Sequence, residues 1–283
     1  MNDSNIDLKN RTTHWAGQER YFYDTIDSTN TKAFELANQG CSHGTLVIAE
    51  TQQKGKGRRG RSWSSEKGTG IYMSMVLRPD LKPEEAPGLT LVAALSVVKA
   101  VEVCIREGME DAEASREEGQ NKAPLPIPQI KWPNDVVLNK KKVCGILTEM
   151  NLKGTVIDSV IVGIGINVHQ NHFPEELKEM ATSLDIETGG YCSRSSLIEH
   201  TLRYFEIYYE KYLQTGDCTL LQQEYENYLA NKEELVKVLD PAGAYEGIAK
   251  GITPKGELMI DVGNGLRYVD SGEVSVRGIY GYV

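Results

Sequence analysis

Five cations and three glycines fall within the stretch Gln52-Gln53-Lys54-Gly55-Lys56-Gly57-Arg58-Arg59-Gly60-Arg61-Ser62-Trp63. A run of like charge repels itself and resists burial. Interleaved glycines let the backbone take positive φ and come close to a ligand. The stretch therefore reads as a mobile surface loop that awaits an anion, and buried elements must flank it. Residues 45–50 (TLVIAE) read as a buried strand leading into the loop. Residues 71–78 (IYMSMVLR) read as a second strand, which Pro79 ends.

The chain as a whole is acidic, with 283 residues and a formal net charge of −9. Non-specific nucleic-acid binding rests on Lys and Arg neutralising phosphates, so a DNA-coating surface is disfavoured and the cationic loop is a local feature. The five cysteines, Cys41, Cys104, Cys144, Cys192 and Cys218, are scattered and form no CxxC pair. Neither a zinc site nor a disulfide framework is indicated, and reduced, packed thiols in a cytoplasmic protein are expected. Residues 1–20 are polar and lack an apolar core of signal-peptide length, and no membrane span is expected.

Asp27-Ser28-Thr29-Asn30 precedes an amphipathic stretch that Gly40 closes, a capped helix. Residues 87–107 carry Leu89, Val92, Ala93, Val97, Ala100, Val101 and Cys104 at helical spacing and predict a long helix packed on the sheet. Residues 108–128 are rich in Glu, Asp, Gly, Asn and Pro and read as a solvated insertion. The segment Ile130-Lys131-Trp132-Pro133-Asn134-Asp135 and residues 136–150 predict a hairpin turning at 140–142. Residues 159–166 form a further strand, followed by helices over 194–214 and 218–231. From about Leu235 onward, short alternations separated by turn residues predict a small all-β module.

Taken singly, each motif also has a structural reading. Ser28-Thr29-Asn30 serves as a helix cap, Lys142 as one more turn lysine, and Trp132-Pro133 as a strand end. Gly163-Ile164-Gly165 lacks a third glycine at dinucleotide-fold spacing and equally marks close strand packing. His14, His43, His169, His172 and His200 have no ligand spacing.

Taken together, the loop at 55–61, Lys131-Trp132-Pro133-Asn134-Asp135, Gly163-Ile164-Gly165-Ile166-Asn167 and Asp27-Ser28-Thr29-Asn30 resemble, in order and spacing, the biotin protein ligase family. The resemblance runs from about Tyr23 to Val283. It implies an α+β fold: a mixed sheet with flanking helices, like class II aminoacyl-tRNA synthetases and lipoate ligases, plus a small C-terminal SH3-like β-barrel. The expected division is 1–20 as a polar extension, 21–234 as the catalytic domain and 235–283 as the C-terminal domain. The implied reaction joins biotin to a lysine of a biotin carboxyl carrier domain through biotinyl-5′-AMP, with ATP and Mg²⁺ and release of pyrophosphate.

The residues suit that chemistry, because a carboxylate approaches the α-phosphorus of ATP only if cations stand between the two anions. By resemblance, Ser28, Thr29, Asn30, Gln52, Lys56, Gly57, Arg58, Lys142 and Gly145 meet biotin. Arg58, Arg61, Trp63, Lys131, Asn134 and Asn167 meet the nucleotide, Lys131 and Arg58 are catalytic, and Asp135 is the candidate Mg²⁺ ligand. The glycine-hinged loop is the expected lid. Lys56 is a departure, since the family carries Arg there and Lys loses the planar fork. A lipoate ligase shares the fold and the adenylation logic, but the loop and the Lys-Trp-Pro-Asn-Asp strand resemble the biotin branch. A biotin-binding protein without catalysis would need neither Lys131 nor Arg58. A biotin-operator repressor is disfavoured, because fewer residues precede Ser28 than the roughly 60 of a helix-turn-helix module. No DNA or membrane partner is expected, and a homodimer is left open.

Overall fold

The computed structural model describes residues 6–8, 12–114, 126–190, 192–240, 243–271, 275–278 and 282–283. The centre of the acidic insertion expected at 108–128 and part of the polar stretch 1–20 lie outside the described residues. Seven strands form the main sheet: β1 (Arg20–Ile26), β2 (Leu46–Gln52), β3 (Gly70–Leu77), β4 (Gln129–Lys131), β5 (Asp135–Leu138), β6 (Lys141–Lys153) and β7 (Val156–Asn167). Their order is β1-β2-β3-β7-β6-β5-β4. β1 pairs parallel with β2, and the remaining neighbours pair antiparallel. A parallel pair needs a crossover, and helix α1 (Thr29–Asn38) supplies it.

The pleat divides the residues between two layers. On one face Ala33, Leu36 and Ala37 of α1 pack on Val47, Val76 and Ile161. On the other face, Ile71, Met73, Met75 and Leu77 of β3 join the main core with α2 (Gly88–Ala114) and α4 (Arg194–Thr215). α2 is long and apolar enough to cross a membrane, but most of that apolar surface is buried here as the core of the fold. It also runs past the expected end at residue 107, taking in the first part of the acidic stretch.

Three elements depart from the sequence reading. β1 was not anticipated; it is an edge strand whose Phe22 is exposed, so alternation is blurred. The helix expected over 218–231 shortens to α5 (Gln222–Tyr228), because the chain then turns to edge strand β4, where the Ala230 N–H donates to the Ile130 carbonyl at 2.9 Å. A one-turn helix α3 (Leu184–Thr188), capped by the Ser183 hydroxyl, is too short to leave a periodic signal.

The C-terminal part forms a second, antiparallel sheet from β8 (Leu235–Leu239), β9 (Tyr245–Ile252), β10 (Leu258–Asp261), β11 (Leu266–Val269) and β12 (Ser275–Gly278). Its order is β11-β10-β9-β8-β12, and the end strands β11 and β12 do not close a barrel among the described residues. Val236, Val238, Ala249, Leu258 and Ile260 continue the main core. The buried Trp132 indole N–H donates to the Gly256 carbonyl at 2.9 Å, tying this sheet to the turn between β4 and β5.

Candidate active site

The cationic stretch is folded on itself. The Gly57 N–H donates to the Arg61 carbonyl at 2.7 Å and the Trp63 N–H to the Gly55 carbonyl at 2.9 Å, and Arg58–Gly60 form a single 3-10 turn. Arg59 and Gly60, with φ of 56° and 71°, complete that turn. Gly55, the first glycine of the loop expected to hinge, is closely packed. Its backbone is not in the left-handed region, and a Cβ there would strike the Trp63 carbonyl, so the position is held by crowding rather than conformational freedom.

Beneath the loop, the α1 side of the sheet is stripped of side chains at Gly145 on β6 and at Gly163 and Gly165 on β7. A Cβ on Gly163 would collide with Asn30 Oδ1. A Cβ on Gly165 would lie 2.6 Å from the Trp63 indole, and one on Gly145 would lie 2.7 Å from that indole and 2.9 Å from Lys142 Nζ. The glycine pair thus marks the close approach of two side chains to the sheet. The Trp63 indole N–H is buried without a partner among the described residues, a donor that an acceptor on a bound molecule would satisfy.

Ser28, Thr29, Asn30, Gln52, Lys56, Gly57, Arg58, Lys142 and Gly145 all line one cleft over this floor. Ser28 stands at the N-cap of α1, yet its hydroxyl makes no capping hydrogen bond and remains on the cleft wall. Gln52 Oε1 accepts from the Thr29 N–H at 2.8 Å, and Gln52 Nε2 donates to Ser65 Oγ at 3.0 Å. The Ser74 hydroxyl donates to Asn30 Oδ1 at 2.6 Å, and Asn30 Nδ2 donates to Glu149 Oε2 at 2.7 Å, which fixes the amide's orientation.

An adjoining cleft shares Gly57, Arg58, Trp63, Asn134 and Lys142 with the first and adds Arg61, Lys131, Asp135, Arg277 and Tyr282. Arg58 Nη1 donates to Asn134 Oδ1 at 2.8 Å, and Nη2 donates to the Ser271 carbonyl. Asp135 accepts Lys142 Nζ on Oδ1 at 2.6 Å and the Tyr282 hydroxyl on Oδ2. Burial pushes the Asp135 carboxyl up, but Lys142 and Lys131 outweigh it and hold it below the usual range, so it stays ionised. Burial pulls the Lys131 ammonium down to about 8. Asp135 opposes that shift, whereas Lys142, Arg277 and Arg61 add to it.

Asn167 lines neither cleft. It is buried at the end of β7, and its Nδ2 donates to the Thr182 carbonyl at 3.0 Å. It does share the face of β7 that carries Gly163 and Gly165, beyond the indole. The expectation of Mg²⁺ at Asp135 is corrected. Both carboxylate oxygens are engaged and two lysines flank them. A resident divalent cation does not fit that donor set. The sequence reading missed Arg277 and Tyr282. They arrive from the second sheet and its continuation, and no local motif announces them.

Residues 22–167 match the biotin/lipoate A/B protein ligase family, and residues 233–277 match the biotin protein ligase C-terminal domain. The chain is 37% identical over 266 residues to the bifunctional ligase/repressor BirA of Bacillus subtilis, covering 93% of this chain and 76% of that protein. It is 32% identical over 252 residues to the biotin–[acetyl-CoA-carboxylase] ligase of Mycobacterium tuberculosis, covering 87% and 85%. The structure superposes on the biotin protein ligase of Aquifex aeolicus in complex with biotin and ATP, with a TM-score of 0.73 at 32% identity, covering 92% of this chain and 99% of that one.

Proposed function

Because the chain belongs to the biotin protein ligase branch of the biotin/lipoate ligase family, we propose that its two adjoining clefts divide the substrates of that reaction. The enzyme is an ATP-dependent ligase that activates biotin as biotinyl-5′-AMP and transfers it to a lysine of a carboxylase carrier domain. The cleft walled by Ser28, Thr29, Asn30 and Gln52 takes the biotin rings, whose ureido group needs hydroxyl and amide partners. The cleft walled by Arg61, Lys131 and Asn134 takes ATP. The observation that carries this reading is the shared wall: Arg58, Trp63, Asn134 and Lys142 border both clefts.

At that wall the biotin carboxylate meets Arg58 and Lys142, which offset its repulsion from the triphosphate. A carboxylate oxygen attacks the α-phosphorus, the new O–P bond forms, and the bond to pyrophosphate breaks. Lys131 stands where negative charge gathers on the non-bridging oxygens, and its preorganised ammonium stabilises the transition state. The acceptor amine then attacks the acyl carbon, the C–N bond forms, AMP leaves, and the amine loses a proton. The Trp63 indole screens the acyl phosphate from water, and its N–H finds an acceptor on the bound intermediate. Mg²⁺ in this reading arrives on the nucleotide's phosphates rather than on Asp135.

Residues 21–234 are the catalytic unit in this proposal and 235–283 an appended one whose Arg277 and Tyr282 complete the nucleotide wall. The acidic charge of the chain speaks against DNA contact, and its free thiols favour a cytoplasmic setting. Incubation with ATP, Mg²⁺, biotin and an apo carrier domain should add one biotinyl mass to the carrier, and lipoate in place of biotin should add nothing. Labelling by lipoate at a comparable rate would overturn the assignment of the first cleft.

A further inference from the structure

Tyr282 touches both charged groups at the heart of the nucleotide cleft, and no step of the reaction above uses it. Lys131 Nζ lies 3.9 Å from the centroid of its ring, well within the range of a cation–π contact. The Tyr282 hydroxyl donates to Asp135 Oδ2, while Asp135 Oδ1 is taken by Lys142. Among the described residues the Lys131 ammonium donates no hydrogen bond; it lies against the face of the ring, within the field of Asp135.

That arrangement has a chemical consequence. A carboxylate or carbonyl partner would consume the N–H donors of the ammonium, whereas an aromatic face attracts the charge and leaves those donors directed elsewhere. The hydroxyl does complementary work on Asp135, which stands opposite Lys131 in the β4–β5 register. With one oxygen on Tyr282 and the other on Lys142, the carboxylate is kept from collapsing onto Lys131. We propose that Tyr282 is a positioning residue for biotin activation: its ring holds the Lys131 ammonium with its donors free for phosphate, and its hydroxyl restrains Asp135. The inference rests on the reading that Lys131 acts at the α-phosphate.

Tyr282→Leu and Tyr282→Phe separate the two contributions, with Lys131→Ala as control, in an assay of biotin-dependent pyrophosphate release and a parallel measurement of biotin binding without ATP. Tyr282→Leu removes both contacts and should lower kcat by about 10- to 100-fold, the scale of a misplaced catalytic group. Its biotin affinity should stay within about twofold, since that cleft lies across the shared wall. Tyr282→Phe restores the ring and should recover kcat to within about fivefold of wild type. Unchanged turnover in Tyr282→Leu, an equal fall in Tyr282→Phe, or loss of biotin binding in Tyr282→Leu would each overturn the inference, the last because a positioning role leaves the first cleft intact. If Lys131→Ala itself releases pyrophosphate normally, the reading of Lys131 fails and this inference fails with it. If Lys131→Ala falls and Tyr282→Leu does not, the role of Tyr282 alone is lost.

Discussion

On the α1 side of the cleft the polar groups are hydroxyls and amides held by one another, with Glu149 as their one carboxylate partner among the described residues; on the Lys131 side they are ions. The chain Ser65–Gln52–Thr29 and the chain Ser74–Asn30–Glu149 orient donors and acceptors before a ligand arrives. Such a network recognises the shape and hydrogen-bonding pattern of a neutral ring, and leaving one member unpaired costs about 1–3 kcal/mol. Across the shared wall, Lys131, Lys142, Arg58, Arg61 and Arg277 surround a single buried carboxylate, Asp135. A field of that kind acts on charge as it develops and says little about which acid is being activated. Recognition and chemistry should therefore come apart under mutation.

The largest separation should come from Lys131→Ala. It removes an ammonium aimed at the reacting phosphate and leaves the hydroxyl and amide network untouched. Pyrophosphate release should fall by roughly 10²-fold or more while biotin affinity changes little. An equal loss of both would break the division between the two halves. The opposite pattern is expected from Gly163→Ala, whose new methyl would collide with Asn30 Oδ1. The Asn30 amide must move off Ser74 and Glu149, so KM for biotin should rise by about 10- to 30-fold. Turnover at saturating biotin should hold, and a variant with normal KM but depressed kcat would show that Asn30 is not part of recognition.

How much of this was legible in the sequence differs between the two halves. The first cleft is built from segments that each announce themselves locally: a cap sequence, a strand running into a cationic loop, and glycines flanked by Ile in a strand. All nine residues assigned to it line that one cleft. The charged half is assembled from further away. Lys131 and Asn134 were readable from the Lys-Trp-Pro-Asn-Asp strand end, but Arg277 and Tyr282 reach the cleft only because the second sheet packs against that strand end. Asp135 looked like a cation ligand in the sequence because a carboxylate beside Asn fits that role. Its commitment to Lys142 and Tyr282 is a tertiary fact. β1 and α3 were illegible for another reason: an exposed edge strand and a one-turn helix are too weakly patterned to be read by periodicity.

The pH dependence sharpens the comparison next. An ordinary lysine keeps its proton to about pH 10, but burial among other cations brings Lys131 to about 8. Below that pH the ammonium is charged and able to meet phosphate; as pH rises through it, the proton and the charge are lost. kcat/KM for ATP reports the free enzyme, so it should fall on the alkaline side with its midpoint near 8, approaching a tenfold loss per unit beyond. Binding of biotin alone, in which Lys131 takes no part, should stay level across the same window. A flat profile for ATP up to pH 9.5 would remove Lys131 from the activation step.

The smallest effect tests the border between structure and recognition at Ser28. Three helices begin at a serine, Ser28, Ser183 and Ser193, and their hydroxyls do different things. Ser193 Oγ at the start of α4 accepts from the Ser196 N–H at 3.5 Å, a long capping bond. Ser28 occupies the same position at the start of α1 with extended backbone angles, but its hydroxyl makes no capping bond and faces the cleft. Removing a working cap costs about 1 kcal/mol, so Ser193→Ala should lower the melting temperature by a few degrees, on the order of the shift that size of change produces in a domain of this length, and leave turnover alone. Ser28→Ala should do the reverse: melting unchanged and KM for biotin raised about fivefold, the equivalent of one hydrogen bond of about 1 kcal/mol. The two variants would be compared by thermal unfolding without ligand and by biotin titration at fixed ATP. If Ser28→Ala melts as early as Ser193→Ala and binds biotin normally, the hydroxyl is a cap after all, and recognition on the α1 side begins at Thr29.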